Sequence, residues 1–539
     1  MRFHDARESA IRDVASTFVH PLNSTPPLMS ASRRWTLVAT IIGSSLTFID
    51  ATVVNVALPA LQADLRATIT DVQWVIEAYA LFLGALILVG GSLGDQFGRK
   101  RVFLLGVVLF TIASIGCGFA TSPAMLITGR AVQGIGAALL VPGSLAIISA
   151  TFDDAERGRA IGTWSGFSAI TTAVGPVTGG WLVEHVSWRA AFFLNVPVAV
   201  IVLVLSLRFM NESRDPSRTS QIDWAGAALA VLGLGCTVFG LLEWAPLGAS
   251  HPLVLGGLTI GVSSLIMLFI VEGRARNPML PTALFRSRPF TLANLLTLLL
   301  YAALSLVMFL APLNFIQVQH YTATAAGAAV LPFPLIMFAL SRWSGGLVAR
   351  VGSRLPLTVG PGVAALGLAL YARPGVGGSY WTTFFPAVVV LGLGMAITVA
   401  PLTTTVMGAV DPRHAGVASG VNNAVSRVAG LLAIAIFGVL IGRTFDARVR
   451  PPLDGLTLSA PAREGIDREL RKIAGADLTQ VPALTVVEQR KVREIIDQAF
   501  VFAFRLVMIA AAGLAVAAAG AGNAIRPDYL NRPTAVSAG

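Results

Sequence analysis

The chain has 539 residues, of which 55% are apolar and 12% charged, with a mean hydropathy of +0.74. Soluble globular proteins average about 45–50% apolar and about 25% charged, so a water-soluble domain is excluded. The 39 Lys+Arg against 28 Asp+Glu leave a formal charge of +11, and the two cysteines, Cys117 and Cys236, sit in separate apolar runs that offer neither a disulfide framework nor a zinc cluster.

From the N-terminus, residues 1–34 carry Arg2, Arg7, Arg12, Arg33 and Arg34 without the apolar stretch of a secretory leader. They read as a cytoplasmic tail in which Met29 is a second candidate start. A helix crossing a hydrocarbon core of about 30 Å needs about 20 mainly apolar residues. That ruler predicts fourteen spans, near 36–59, 71–93, 102–121, 124–148, 159–183, 190–207, 224–243, 252–271, 290–312, 326–348, 355–371, 381–406, 415–441 and 499–523. An even number puts both termini on one side, and the bias of Lys and Arg toward cytoplasmic loops makes that side the inside. The inside segments hold 22 bases, against three (Arg66, Arg189 and Arg373) in the short outside loops and ten in the outside segment 442–498. In that segment Ile466, Leu470 and Ile473 fall at helical spacing, and Thr485 with Glu488 has the spacing of a capping box. A small helical cap is expected there, with a solvated linker as the alternative. The positive balance is thus topological, and bases dispersed over loops without aromatic neighbours argue against a nucleic-acid partner.

An internal repeat organises the spans. Residues 91–101, G-S-L-G-D-Q-F-G-R-K-R, return at 345–355 as G-G-L-V-A-R-V-G-S-R-L, and G-R-A-I-G at 158–162 returns as G-V-A-S-G at 416–420. Each span therefore matches the one eight places later, which predicts a 6+2+6 arrangement: an N-terminal six-helix bundle over 35–210, an inserted pair over 211–275, and a second bundle over 276–525 with the loop 442–498, followed by a cytoplasmic tail over 526–539. Transporters built from repeated bundles rock one bundle against the other about a site near the midplane.

None of the three lysines follows a glycine as a phosphate-binding loop requires, so ATP-driven transport by this chain alone is excluded. The six histidines lack metal-ligand spacing, and no cluster argues for an enzyme. An ionisable side chain within a span costs about 2.5–3.5 kcal/mol on insertion scales and marks a functional site by default. Asp50 lies about nine residues, roughly 13 Å, from the outer end of its span. Glu77 and Arg130 lie about six residues, roughly 9 Å, from theirs, so the three share one depth band. Burial raises a carboxyl's proton affinity and a nearby cation lowers it, so Asp50 could load and release a proton as Arg130 or a cationic substrate moves; a static ion pair is the alternative. Arg427 sits about 18 Å into span thirteen beside Asn422 and Asn423, which suggests a polar site in the second half. Arg342 and Arg505 can snorkel toward an interface. In span five, the small residues from Gly166 to Gly180 around Pro176 allow close helix approach.

With these strings in order the chain resembles the major facilitator superfamily, in its fourteen-helix drug:proton antiporter branch, from about residue 35 to 525. The loop motif falls on Gly91, Asp95, Gly98, Arg99 and Lys100, which the resemblance implies control conformation. L-I-T-G-R-A-V-Q-G-I-G places the fourth-helix motif on Arg130, Gln133, Gly134 and Gly136, with the arginine implied in proton transfer. The exporter-associated motif of span five falls on Gly166, Gly175, Pro176, Gly179 and Gly180, and F-I-D-A-T-V-V-N-V-A-L-P puts Asp50 in the branch's first-helix acid position. W-R-A-A-F-F-L-N-V-P at 188–197 and D-W-A-G at 223–226 resemble further features of the branch. Two departures stand out: Ala349 replaces the motif acid in the second loop copy, and Glu77 stands where a small or hydroxyl residue is expected. Glu77 would mark either a cationic substrate or a second proton site.

The implied protein is an all-α, monomeric, multi-pass plasma-membrane antiporter that uses the proton gradient, needs no cofactor and exports amphiphilic, cationic, drug-like compounds. Asp50 would carry the proton with Arg130 as modulator and Glu77 as a further coupling residue. Tyr79, Trp164, Phe167, Asn314, Gln317, Asn422 and Arg427 are candidate cavity residues. Export of a lipid, siderophore or endogenous metabolite, and a membrane binding protein without flux, are the alternatives.

Overall fold

The computed structural model describes residues 31–214, 223–275, 282–410 and 415–525; the expectations for the two tails lie largely outside them. Long helices follow the order of the predicted spans: α1 Ala31–Asp64, α2 Ile69–Phe97, α3 Arg99–Gly118, α4 Pro123–Thr151 and α5 Asp154–His185. After them come α6 Ala190–Phe209, α7 Trp224–Leu242 and α8 Pro252–Arg274. The chain continues with α9 Arg288–Leu313, prolonged by a π turn over Asn314–Val318, and α10, in two pieces Ala323–Val330 and Pro332–Gly345. The last four are α11 Arg354–Tyr371, α12 Tyr380–Gly408, α13 Ala415–Asp454 and α14 Val486–Asn523. Among the described residues 13 helices are long and apolar enough to cross a membrane. The one outside that set, α5, is a continuous 32-residue helix over the predicted fifth span. This is a multi-pass, all-helical membrane protein.

Polar caps set where the helices start. Thr68 accepts from the Asp71 amide at 3.1 Å while the Asp71 carboxylate accepts from the Thr68 amide at 2.8 Å, a reciprocal pair that satisfies donors a helix start otherwise leaves open. Ser122 ahead of Pro123, and Thr322 ahead of Ala323, cap α4 and α10 in the same sense.

Glycines set how closely the helices cross. A side chain on Gly90 would collide with the Ala138 carbonyl, one on Gly134 with the Tyr79 carbonyl, and Gly106 and Gly136 meet backbone to backbone; α2, α3 and α4 thereby pack as a block, as small residues permit within a bilayer. In the loop motif, Gly98 has φ +110 and faces the Glu212 carboxylate. Glu212 accepts from the amides of Lys100 at 3.0 Å and Arg101 at 3.2 Å, so it caps α3 from the far end of α6. Asp95 accepts from Arg99 at 2.8 Å, and Lys100 donates to the Met210 carbonyl at 2.6 Å. Gly91 lies against Pro142 on α4. A side chain at Gly98 meets both an unfavourable φ and the Glu212 carboxylate; Gly98→Ala is therefore expected to destabilise the protein by about 1–3 kcal/mol, read as a lower midpoint in a detergent thermal-shift assay.

Helices α1–α6 pack on one another, α9–α14 do likewise, and α8 pairs with α7, which rests on α2 and α13. The 442–498 segment is no solvated linker. Helix α13 runs 40 residues and α14 runs 38, roughly 60 Å each at 1.5 Å per residue, so both continue well past the apolar stretch that marks their spans. Between them lie a helix at Ala460–Glu469 and 3-10 turns at Leu470–Gly475 and Leu478–Gln480, with Ile466, Leu470 and Ile473 buried. The Thr485–Glu488 capping box is present, with bonds of 2.8 and 3.3 Å. Asp477, in this cap, is held below the usual carboxylate range chiefly by the Thr479 hydroxyl. The end of the molecule bearing this segment is called the cap end, and the opposite end the motif end.

At the cap end the two groups of helices touch. Gly180 of α5 lies against the backbone of Ala323 and Thr324 at the start of α10, and Gly327 lies against the Pro176 carbonyl. The Glu184 carboxylate accepts from the Thr324 amide at 3.1 Å. The Gln317 amide donates to Gln62 at 2.8 Å, and Gln62 donates to the Lys472 carbonyl at 3.2 Å. The cap end is closed in this structure.

Candidate functional site

Asp50 lies midway along α1 and is 1% exposed; Arg130 of α4 is 2% exposed. The Arg130 guanidinium donates to Asp50 Oδ2 at 2.5 Å and to Gln133 Oε1 at 2.7 Å, and through Nε to the Val75 carbonyl at 3.0 Å. Asp50 Oδ1 accepts from the amides of Gln133 at 2.8 Å and Asn195 at 3.2 Å. Asn195 also donates to Ser114 Oγ at 2.9 Å, and Ser114 in turn donates to the Phe192 carbonyl at 2.9 Å. Helices α4 and α6 thus converge on the carboxylate of α1, and α3 joins the network through Ser114. Removing charges from water is costly unless they are paired and hydrogen-bonded, and here the carboxylate accepts three hydrogen bonds and the guanidinium donates three.

The guanidinium also stacks 4.3 Å from the centroid of the Tyr79 ring, a cation–π contact strengthened by desolvation. Arg427 of α13 comes in from the other group of helices, its Cβ facing Gly84 of α2.

The other predicted residues are spread more widely. Trp164 donates from Nε1 to Ser44 Oγ at 3.0 Å and meets Phe48 edge-on at 6.4 Å between centroids. Phe167, one turn on, is 50% exposed. Asn422 donates to Asn294 at 3.1 Å and Thr297 at 2.6 Å, tying α13 to α9 nearer the motif end. Asn314 and Gln317 lie at the cap end instead of beside Tyr79. Asn314 is buried and accepts from Gln319 at 3.2 Å, and Gln317 belongs to the seal with Gln62. Of the span-five motif, Gly175 lies against Thr52 and Gly179 against Val53, both on α1, while Pro176 and Gly180 face α10; Gly166 is in the same helix. Glu77 is fully buried on α2, and neither carboxylate oxygen has a hydrogen-bond partner among the described residues.

Sequence reasoning passed over Asn195, Ser114 and Glu212. Asn195 stood inside the quoted string W-R-A-A-F-F-L-N-V-P, the one amide in an apolar run, and that was its available signal.

The profile of the Major Facilitator Superfamily matches residues 40–434. The chain belongs to the Major Facilitator Superfamily. Among its relatives in that superfamily, the multidrug resistance protein Stp of Mycobacterium tuberculosis is 33% identical over 432 residues, covering 79% of each chain. The tetracenomycin C resistance and export protein of Streptomyces glaucescens is 34% identical, covering 77% of this chain and 78% of the relative. The puromycin resistance protein pur8 of Streptomyces alboniger is 35% identical, with coverages of 76% and 82%. Among solved structures, the bacterial homologue of the human lysosomal transporter Spinster superposes with a TM-score of 0.64 at 17% identity, covering 92% of this chain and 98% of that one, a likeness of fold. The resemblance read from the loop, fourth-helix and fifth-helix motifs therefore holds at the level of the superfamily, and the protein is a membrane transporter.

Proposed function

We propose that this transporter is a proton-coupled antiporter that exports amphiphilic, cationic compounds across the plasma membrane by alternating access, with both termini and the motif end on the cytoplasmic side. The observation that carries the reading is the Asp50 carboxylate, enclosed where α4 and α6 meet α1 and held by Arg130, Gln133 and Asn195. A carboxylate in a low-dielectric interior binds either a proton or another positive charge. Loss of the proton leaves a site that attracts a cation, and arrival of the proton cancels that attraction. Tyr79 supports the same reading: its ring already holds one cation, the Arg130 guanidinium, beside Asp50. The names of three relatives, each a resistance or export protein, support efflux.

The test is transport in reconstituted vesicles loaded with a pH-sensitive dye. Addition of a lipophilic cation such as tetraphenylphosphonium is expected to release protons stoichiometrically from an acid-loaded lumen, and an uncoupler is expected to abolish uphill accumulation. Proton movement with a neutral lipid or an anionic chelator in place of the cation would replace the cargo class; no proton movement with any of them would overturn antiport.

A further inference from the structure

Glu77 is a buried acid that the Asp50 network does not use. It lies on the face of α2 that meets α13. Gln73 packs against Gly438, Leu81 clusters with Leu431 and Ala435, and Gly84 lies beside Arg427. Residues 73, 77, 81 and 84 share one side of a helix, so Glu77 is bracketed between contacts to α13 on both sides. Helices α2 and α13 belong to different groups, which makes this a surface that must slide or part when the two groups rock. Glu77 is 0% exposed there and Gln73 is 3% exposed. Both Glu77 oxygens, and the Gln73 amide nitrogen one turn toward the cap end, lack a hydrogen-bond partner among the described residues.

The charged and titratable groups on the surrounding elements are otherwise placed. Arg130 on α4 is bound to Asp50, and Tyr79 on α2 lies beneath it. Arg427 on α13 stands near Gly84, about two turns from Glu77, and Arg443 covers the Trp244 ring. Asp446 lies further along α13, and Glu243 sits at the end of α7. Lys472 in the cap pairs with Glu469, and Asp71 with Thr68. None of them bonds to Glu77. An ionised carboxylate sealed from water without a donor is among the costliest groups to bury, and such a group takes up a proton instead.

We infer that Glu77 is a second proton-binding site, which must be protonated for α2 and α13 to close at the cap end and which gives up its proton to water when they part. This rests on the alternating-access antiporter reading above. It assigns the two acids different tasks: Asp50 exchanges its proton for cargo, and Glu77 ties protonation to closure of one end. Gln73, unpartnered beside it, is placed to donate to the ionised form once the interface opens.

The experiment measures the opening of the cap end directly. Spin labels at Val186 and Val376, exposed at that end just after α5 and on the loop before α12, are placed in the full chain in nanodiscs, with Cys117→Ala and Cys236→Ala, and the interlabel distance is followed against pH. In an Asp50→Asn background, the closed-to-open ratio is expected to rise by about tenfold per pH unit of acidification across the responsive range, the linkage of one proton. Glu77→Gln in that background is expected to flatten the dependence and hold the closed form, and Glu77→Asp to restore it. An unchanged slope in Glu77→Gln overturns the inference, as does a slope already lost in Asp50→Asn alone, which would leave the antiporter reading intact. An unchanged slope together with weakened tetraphenylphosphonium binding in Glu77→Gln would make Glu77 part of the cargo site and also overturn it. Absence of any pH response or proton flux in the unsubstituted protein would strike the antiporter reading itself.

Discussion

Asp50→Asn is expected to yield a folded protein that exchanges labelled cargo across a vesicle membrane at equilibrium but cannot accumulate it against a gradient when protons are supplied. The amide is nearly isosteric with the carboxylate and still offers Arg130 an acceptor, so helix packing around it survives. It cannot bind and release a proton, so the cycle loses its coupling and not its motion. Arg130→Ala acts differently. It strips the counter-ion from a carboxylate of α1 held by α4 and α6, and breaking a buried pair from one side costs about 3–5 kcal/mol. Its expected outcome is a lower unfolding midpoint together with lost transport. The pairing of the two variants separates chemistry from scaffolding: uphill transport that persists in Asp50→Asn would remove Asp50 from the proton path.

Gly180→Val is expected to hold the cap end open. A Cβ at Gly180 would collide with the backbone of Ala323 and Thr324, and the reciprocal contact of Gly327 on Pro176 leaves α10 no room to retreat. Overpacking of a tight crossing costs about 1–3 kcal/mol, and because the strain exists only when the two groups of helices meet, it weighs on one state of the cycle. A bias of that size shifts the population roughly 5- to 150-fold. The measurement is disulfide or spin-label distance across the cap end, with transport in parallel. Transport should fall in proportion to the lost closed state, while expression and thermal stability stay near those of the parent. Gly179, which faces Val53 within the first group of helices, is the control: a larger residue there should lower stability without biasing the cap end.

Much of this molecule was legible before any coordinates, for a physical reason. The bilayer forces each crossing to be a long apolar helix, so hydropathy alone located the helices, and the cost of burying a charge made Asp50, Arg130, Glu77 and Arg427 conspicuous by their rarity. What hydropathy could not supply was azimuth and company. Gln317 sits at a span's end like many polar residues, and nothing in its neighbourhood says that a π turn over Asn314–Val318 carries it to Gln62 in the opposite group. Asn195 and Ser114 are uncharged and raise no alarm in an apolar run; their role emerges only when α3 and α6 are seen to meet at Asp50. Glu212 lies in a loop, where an acid is ordinary, and becomes a cap for α3 only through the fold. The ends of α13 and α14 escaped for a related reason: the apolar ruler stops at the membrane surface, whereas these helices continue as amphipathic rods.

Those two rods have a practical consequence. A transporter of this type normally offers little outside the lipid for image alignment, because its bulk is a near-symmetric bundle. Here α13 and α14, at 40 and 38 residues, rise together as a mast, with Ile466, Leu470 and Ile473 buried in the segment that connects them. A nanobody raised to that mast would break the pseudosymmetry and label one face of the membrane in every micrograph.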